Sequence, residues 1–179
     1  MPIAGTDLLV KFSVTTGSAG NTTSQANQNN SLGKYISTSQ WAGGVLHDLF
    51  DAITGDENAA LQADYRCIFI HNNHATITWL NPVVWISTGG STATIALGLD
   101  PAGVTAIGSS SAQAAVIAND YTAPTGVSFS SPTTKATGLS IGNIAPGNCA
   151  AIWIRRTAVN SAAVNNDTST FTMEGDTTA

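Results

Sequence analysis

The chain has 179 residues, of which 42% are hydrophobic and only 9% charged, with a formal net charge of −5. One domain with a sizeable core is the default at this length. Six Lys and Arg residues in all exclude the basic footprint of a nucleic-acid binder and the polybasic patch of a membrane anchor. Charged residues usually make up about 25%, so this surface must be built mainly from Thr, Ser, Asn, Gly and Ala. Such a surface costs little to desolvate and suits contact with other proteins. No apolar run approaches the length of a membrane-spanning helix. The start MPIAGTDLLVKFSV lacks the pattern of a signal peptide, so a reducing compartment is expected. Cys67 and Cys149 then read as buried free thiols, and a disulfide between them would need neighbouring strands.

In chain order, Asp7 to Val14 is a first strand with Leu8, Val10, Phe12 and Val14 on one face and Lys11 and Ser13 on the other. Thr15 to Ser31 has no apolar period, which predicts a surface loop or an arm ordered against a neighbouring subunit. Leu32 to Ser37 is a short strand. Trp41, Val45, Leu46, Leu49, Phe50 and Ile53 recur at helical spacing, predicting a short helix over Val45 to Ile53 that Gly55 stops. Tyr65 to His71 and Ala75 to Leu80, joined at Asn72-Asn73, predict a hairpin. Pro82 predicts a break or bulge before Val83 to Ser87. Thr94 to Leu99 alternates cleanly and closes at Asp100-Pro101-Ala102-Gly103. Ala112 to Ala118 is open between strand and helix. Val127 to Ser130 and Leu139 to Ile141 are short extended pieces, and Thr168 to Glu174 is the last strand.

The strand after Pro146-Gly147 is the centre of this reading. Ala150, Ile152 and Ile154 share one face, and Ala151, Trp153 and Arg155 the other. Both faces are largely apolar and both need cover, from a second sheet or from a partner. Roughly nine or ten short strands with turns between them predict an all-β fold, a β-sandwich of jelly-roll or immunoglobulin-like Greek-key type. It carries one short helix and an N-terminal extension. The expected division is residues 1–55, a strand, arm and helical segment packed on the main domain or a neighbour, and residues 56–179, the sandwich.

No reaction chemistry stands out. His71 and His74 flank a turn with Cys67 as the only nearby thiol, short of a zinc ligand set, and read as turn and edge histidines. Asp48, Asp51, Asp56 and Glu57 lack the calcium-loop pattern. His47-Asp48 has no nucleophile elbow beside it. No catalytic residue, cofactor or metal ligand is assigned. Trp79, Trp85 and Trp153 fit core or interface packing better than a sugar-stacking platform. Arg66, Arg155 and Arg156 are all the arginines. In so charge-poor a chain they call for assigned partners, with Asp64, Asp167 and Glu174 as candidates. Arg66, Trp153, Arg155, Arg156 and Trp41 are the candidate interface residues.

Several segments together resemble small structural proteins of tailed bacteriophages and prophages. The pattern is Asp64 before Tyr65, Arg66 and Cys67; a strand reaching Asn72; the Pro146-Gly147 turn; Trp153, Ile154, Arg155 and Arg156; and Glu174, Gly175 and Asp176 near the end. It spans Asp56 to Thr177. The resemblance implies a non-enzymatic virion component made in the host cytoplasm, as a capsid decoration or cement protein contacting the major capsid protein, or as a neck or tail protein. Such proteins are homo-oligomers, commonly trimers, and bind neither nucleic acid nor membrane. From the residues alone, a carbohydrate-binding or adhesin-like sandwich is the alternative class.

Overall fold

A computed structural model describes residues 3–177. The chain is all-β, with two packed antiparallel sheets and one short helix. The strands are β1 (Leu8–Val14), β2 (Tyr35–Gln40), β3 (Ala63–Asn72), β4 (Trp79–Thr88), β5 (Ala93–Ala106), β6 (Leu139–Ser140), β7 (Asn148–Ala158) and β8 (Thr170–Thr177). The helix α1 covers Gly55–Ala59. The large sheet has the order β2-β1-β3-β7-β5 and the small one β6-β4-β8.

Strand β7 is interior, as its unbroken apolar run requires. It pairs with β3 on one side, Ile152 opposite Ile68, and with β5 on the other, Ile154 opposite Leu97. Its two faces are covered differently. Ala150, Ile152 and Ile154 meet Ile68, Ile70 and Leu97 of their own sheet and Trp79, Val84 and Ile86 of the small sheet. Cys149, Ala151 and Trp153 cluster with Ile36 of β2 and lie under a layer of connecting chain that includes Ala114, Ile117, Val127 and Phe129. That layer comes largely from the long segment between β5 and β6.

Both strands that precede residue 50, β1 and β2, are built into the same sheet. β1 pairs with β3 from Leu8–Asn72 to Phe12–Ile68, and β2 pairs with β1. The boundary drawn at residue 55 therefore runs through one sheet. Thr15 to Ser31 is no free arm. Asn21 N donates to Ile36 O at 2.6 Å, Gly20 N to Ser109 O at 3.0 Å, and Thr38 N to Thr23 O at 3.0 Å. Ser31 Oγ donates to Cys67 O at 2.6 Å. A segment without apolar residues is thus held by backbone and hydroxyl hydrogen bonds, which hydropathy patterning does not reveal.

Three further expectations are corrected. No helix covers Val45 to Ile53: Gly43, Gly44 and His47 have φ of 69, 80 and 61°, outside the right-handed helical region. The helix begins where the apolar spacing predicts one to end. Thr54 caps it, with Thr54 N donating to Glu57 Oε2 at 2.7 Å and Glu57 N to Thr54 Oγ1 at 3.3 Å, a capping box. The hairpin from Tyr65 to Leu80 does not form. Asn72 does turn the chain, its Nδ2 donating to Ile77 O at 2.9 Å and Ile144 O at 2.8 Å, but β4 leaves for the other sheet. Asp100 to Gly103 is a bulge inside β5, between Leu99 and Val104, and not the end of a strand. The break expected at Pro82 is a bulge in β4 between Leu80 and Val83. Ala112 to Ala118 and Val127 to Ser130 form single bridges, Val116 to Gly33 and Ser130 to Leu97.

The covering layer presses on β5 at Gly98. A Cβ there would lie 2.4 Å from Val127 Cγ1 and 2.8 Å from Ser128 O. Gly98→Ala is expected to lift that strap and destabilise the protein by about 1–3 kcal/mol, read by urea unfolding followed through tryptophan fluorescence. No change would show that the strap adds nothing to the fold.

Candidate assembly surface

The five candidate interface residues are spread over three settings. Arg66 and Arg156 project from β3 and β7 onto the inter-sheet side. Phe50 lies across both guanidinium groups, with its ring centre 5.3 Å from Arg66 Cζ and 4.7 Å from Arg156 Cζ. Arg66 is fully buried. Its Nη2 donates to Asn29 Oδ1 at 2.9 Å and Asp120 Oδ2 at 3.1 Å, and its Nη1 to Tyr65 O at 3.1 Å. Arg156 donates to Asp64 Oδ2 from Nη2 at 2.6 Å and from Nε at 3.2 Å, and to the Asp51 carbonyl from Nη1. Two cations, three aspartates and one aromatic ring thus clamp the Leu49–Asp51 segment onto the sandwich.

Of the expected carboxylate partners, Asp64 takes an arginine. Asp167 instead accepts from the Thr92 hydroxyl, from Ser91 N at 2.7 Å and from Thr92 N at 2.7 Å; partial burial pushes its carboxyl up, but these bonds, the Thr92 hydroxyl foremost, hold it below the usual range. Glu174 pairs with Lys135. Asp51 and Asp120 have no sequence signal: loops far apart in the chain bring them in.

Trp153 is also fully buried, and its Nε1 donates to Asp100 Oδ2 at 2.9 Å. Arg155 is half-buried over the Phe129 ring, 5.2 Å from its centre. Arg66 and Trp153 are therefore buried within the chain, although Arg66 Nε is left without a partner, and neither is exposed to a neighbour. Of the three tryptophans expected to pack inward, Trp79 and Trp153 are in the core, whereas Trp85 is only half-buried.

Trp41 is different. It packs edge-on to Phe171, with centroids 6.1 Å apart, and lines a shallow hollow of about 160 Å³ with Phe12, Gln40, Ala42, Gly43, Val45 and Asp48. Its Nε1 and the Oδ2 of Asp48 are shut off from solvent without hydrogen-bond partners. At the tip of the same segment Val45 is 70% exposed and Leu46 55%. Apolar side chains held outward on a loop with unmet polar atoms beneath describe a segment whose contacts are incomplete within the subunit. Leu61 and Val159 add a second exposed apolar pair, placed side by side by the Ala158 N to Gln62 O bond of 3.0 Å. A larger hollow, about 290 Å³, lies between β4, β5 and the Ser131–Thr133 segment and is lined by Ile, Ser, Thr and Gly alone.

The outer face of the large sheet holds a polar group that strand patterning does not flag. His71, read as an edge histidine, sits inside the sheet between Leu9 of β1 and Cys149 of β7 and is 2% exposed. Both its ring nitrogens lack partners. Burial, with the Lys11 ammonium adding to it, lowers its pKa from 6.5 to about 4. His74 keeps the turn role, its Nδ1 accepting from Thr76 N at 3.1 Å and Ile77 N at 3.0 Å. Cys149 accepts from Gln113 Nε2 at 3.5 Å, and burial raises its pKa to about 11. Burial likewise pushes the Cys67 thiol up. Both cysteines are free: Cys67 faces Trp153 and Cys149 faces His71, four residues apart along the paired strands, about 13 Å, too far for a disulfide. Among the described residues no three His, Cys, Asp or Glu side chains converge as a metal site would require.

No family model, no curated protein and no solved structure matches the chain.

Two outcomes follow from these groups. Arg156→Met leaves the buried Asp64 with only the Gln62 amide, 3.1 Å away, and is expected to cost about 3–5 kcal/mol; adding Asp64→Leu should restore much of it, both read from urea midpoints. Unfolded His71 takes up a proton near pH 6.5 and the folded one only near 4, so the unfolded state binds more protons in between. Stability should therefore be about 2 kcal/mol lower at pH 5 than at pH 7. His71→Leu should remove that difference; an unchanged pH dependence would show that another group carries it.

Proposed function

We propose that this chain is a non-enzymatic structural protein of a virus particle, most closely a capsid decoration or cement protein that bridges neighbouring major capsid subunits. One observation carries the reading: Val45 and Leu46 stand out from a loop whose underlying Trp41 and Asp48 lack partners. A neighbouring subunit that covers this loop gains apolar burial and meets few charges that must first lose their water. The low charge of the whole chain supports the same use of the rest of the surface. Repetition around a symmetric shell turns a modest contact into firm attachment.

Only part of the candidate interface set supports this contact. Arg66, Arg156 and Trp153 stabilise the subunit itself, and Thr15 to Ser31 is folded on its own sheet, so neither supports it. Trp41 and the loop that follows it do. A sugar-binding platform draws less support, because Trp79 and Trp153 are in the core. A neck or tail position differs from a shell position by stoichiometry alone.

Particles assembled without this chain and then given the purified protein test the reading. Wild-type protein should bind at shell stoichiometry. The double variant Val45→Asp, Leu46→Asp should bind about tenfold more weakly or worse, with its thermal midpoint little changed because both side chains are exposed. Equal binding by the variant would remove the loop from the contact, and binding at ring stoichiometry would move the protein to the neck or tail.

A further inference from the structure

The polar face of β1 is its more buried face. Lys11 is 6% exposed and Ser13 fully buried, while Leu8, Val10 and Phe12 on the core side are only half-buried. Ser13 is satisfied by Ser31 and Gly33, with Ser13 N donating to Ser31 Oγ at 2.8 Å and Gly33 N to Ser13 Oγ at 2.8 Å. Lys11 is not satisfied in the same sense. Among the described residues the only acceptor for its Nζ is the side-chain oxygen of Asn21, 2.6 Å away, and no carboxylate forms an ion pair with it. A buried ammonium with one neutral partner is poorly compensated.

We propose that Lys11 and Asn21 condense after folding into an intramolecular isopeptide bond, which ties β1 to the Thr15–Ser31 segment. Nζ lies no more than about 3.8 Å from Asn21 Cγ, given the 2.6 Å contact and the length of a carbonyl bond, close to the range of a near-attack arrangement. The pair is held there from outside. Asn21 has φ of 60°, a conformation asparagine tolerates better than most residues. Its N–H is fixed to Ile36 O at 2.6 Å, and its neighbour Gly20 to Ser109 O at 3.0 Å. Gly20 lies against the buried Gln113 side chain: a Cβ there would come 2.1 Å from Gln113 Oε1.

The reaction needs no outside reagent. The neutral amine of Lys11 attacks Cγ of Asn21 and forms the new C–N bond. A proton passes from Nζ to the departing amide nitrogen, the old C–N bond breaks, and ammonia leaves. Asn21 is half-exposed, so ammonia has a way out. Burial lowers the basicity of Lys11 and so favours the nucleophilic neutral amine. The product is a neutral amide, which removes the poorly compensated ammonium.

Intact-mass spectrometry of the purified full-length chain, followed by tryptic mapping, tests this. The expected mass is lower than the sequence requires by one ammonia, with no cleavage after Lys11 and one looped peptide containing Lys11 and Asn21. Lys11→Arg and Asn21→Ala should each restore the full mass. A wild-type mass equal to that of the sequence overturns the proposal. So does a mass loss with normal cleavage after Lys11, which marks a succinimide.

Discussion

The carboxylate of Asp100 holds the layers of this protein together. It is buried beneath the cover of the large sheet, and three N–H groups from three parts of the chain point at it. Trp153 Nε1 donates to Oδ2 at 2.9 Å, Ala115 N to Oδ2 at 2.8 Å, and Ala102 N to Oδ1 at 2.9 Å. No Lys or Arg forms an ion pair with it among the described residues, so fixed dipoles supply the compensation. The three donors belong to the central strand, the β5 bulge and the connecting layer. Those parts can only bury their apolar sides if the bulge places Asp100 underneath, which explains why the bulge sits inside β5.

The second cover of β7 matters for function because it comes from the chain itself. A strand that is apolar on both faces needs two coverings; here one is the small sheet and the other is irregular chain anchored by Asp100, Gln113 and Ser31. Gln113 shows how such a layer is held. Its Oε1 accepts from Ile36 N at 3.0 Å, and its Nε2 donates to Ala106 O at 2.7 Å. Buried polar atoms without partners remain at Arg66 Nε and His71 as well as at Trp41 and Asp48; what sets the Trp41–Asp48 loop apart is that Val45 and Leu46 stand exposed on it. The distinction separates residues that hold the fold together from apolar side chains left on its surface.

Period-two patterning made the large interior strands legible. Tyr65 to His71 and the run after the Pro146-Gly147 turn lie within β3 and β7, and the all-β class followed from them. Partnering was not legible: Asn72-Asn73 turns the chain as its residue types suggest, yet nothing local says whether the next strand returns to the same sheet. The misplaced helix has a plainer cause. Leu49 and Phe50 do pack inward, but the glycines before them break the helical path, while Thr54 and Glu57 carried a capping signal that spacing of apolar residues overlooks. In the candidate site, arginine scarcity pointed to firm partners and Asp64 was among those considered. Asp51 and Asp120 came from loops, and Asp100 from a bulge inside β5, whose positions only the tertiary fold sets. Low hydropathy around Thr15 to Ser31 hid a segment that is held by hydrogen bonds.

Strand order also sets when the chain can fold. β3 lies between β1, which is made before it, and β7, which begins some way past the whole small-sheet strand β4 and the long connection. During synthesis Ile68 and Ile70 are therefore made well before Ile152, the residue that pairs with Ile68. Closing so long a loop is entropically slow, and the ribosome must release most of the polypeptide before the sheet can zip. A nascent chain of this design stays sticky for much of its translation, a window in which chaperones have something to hold.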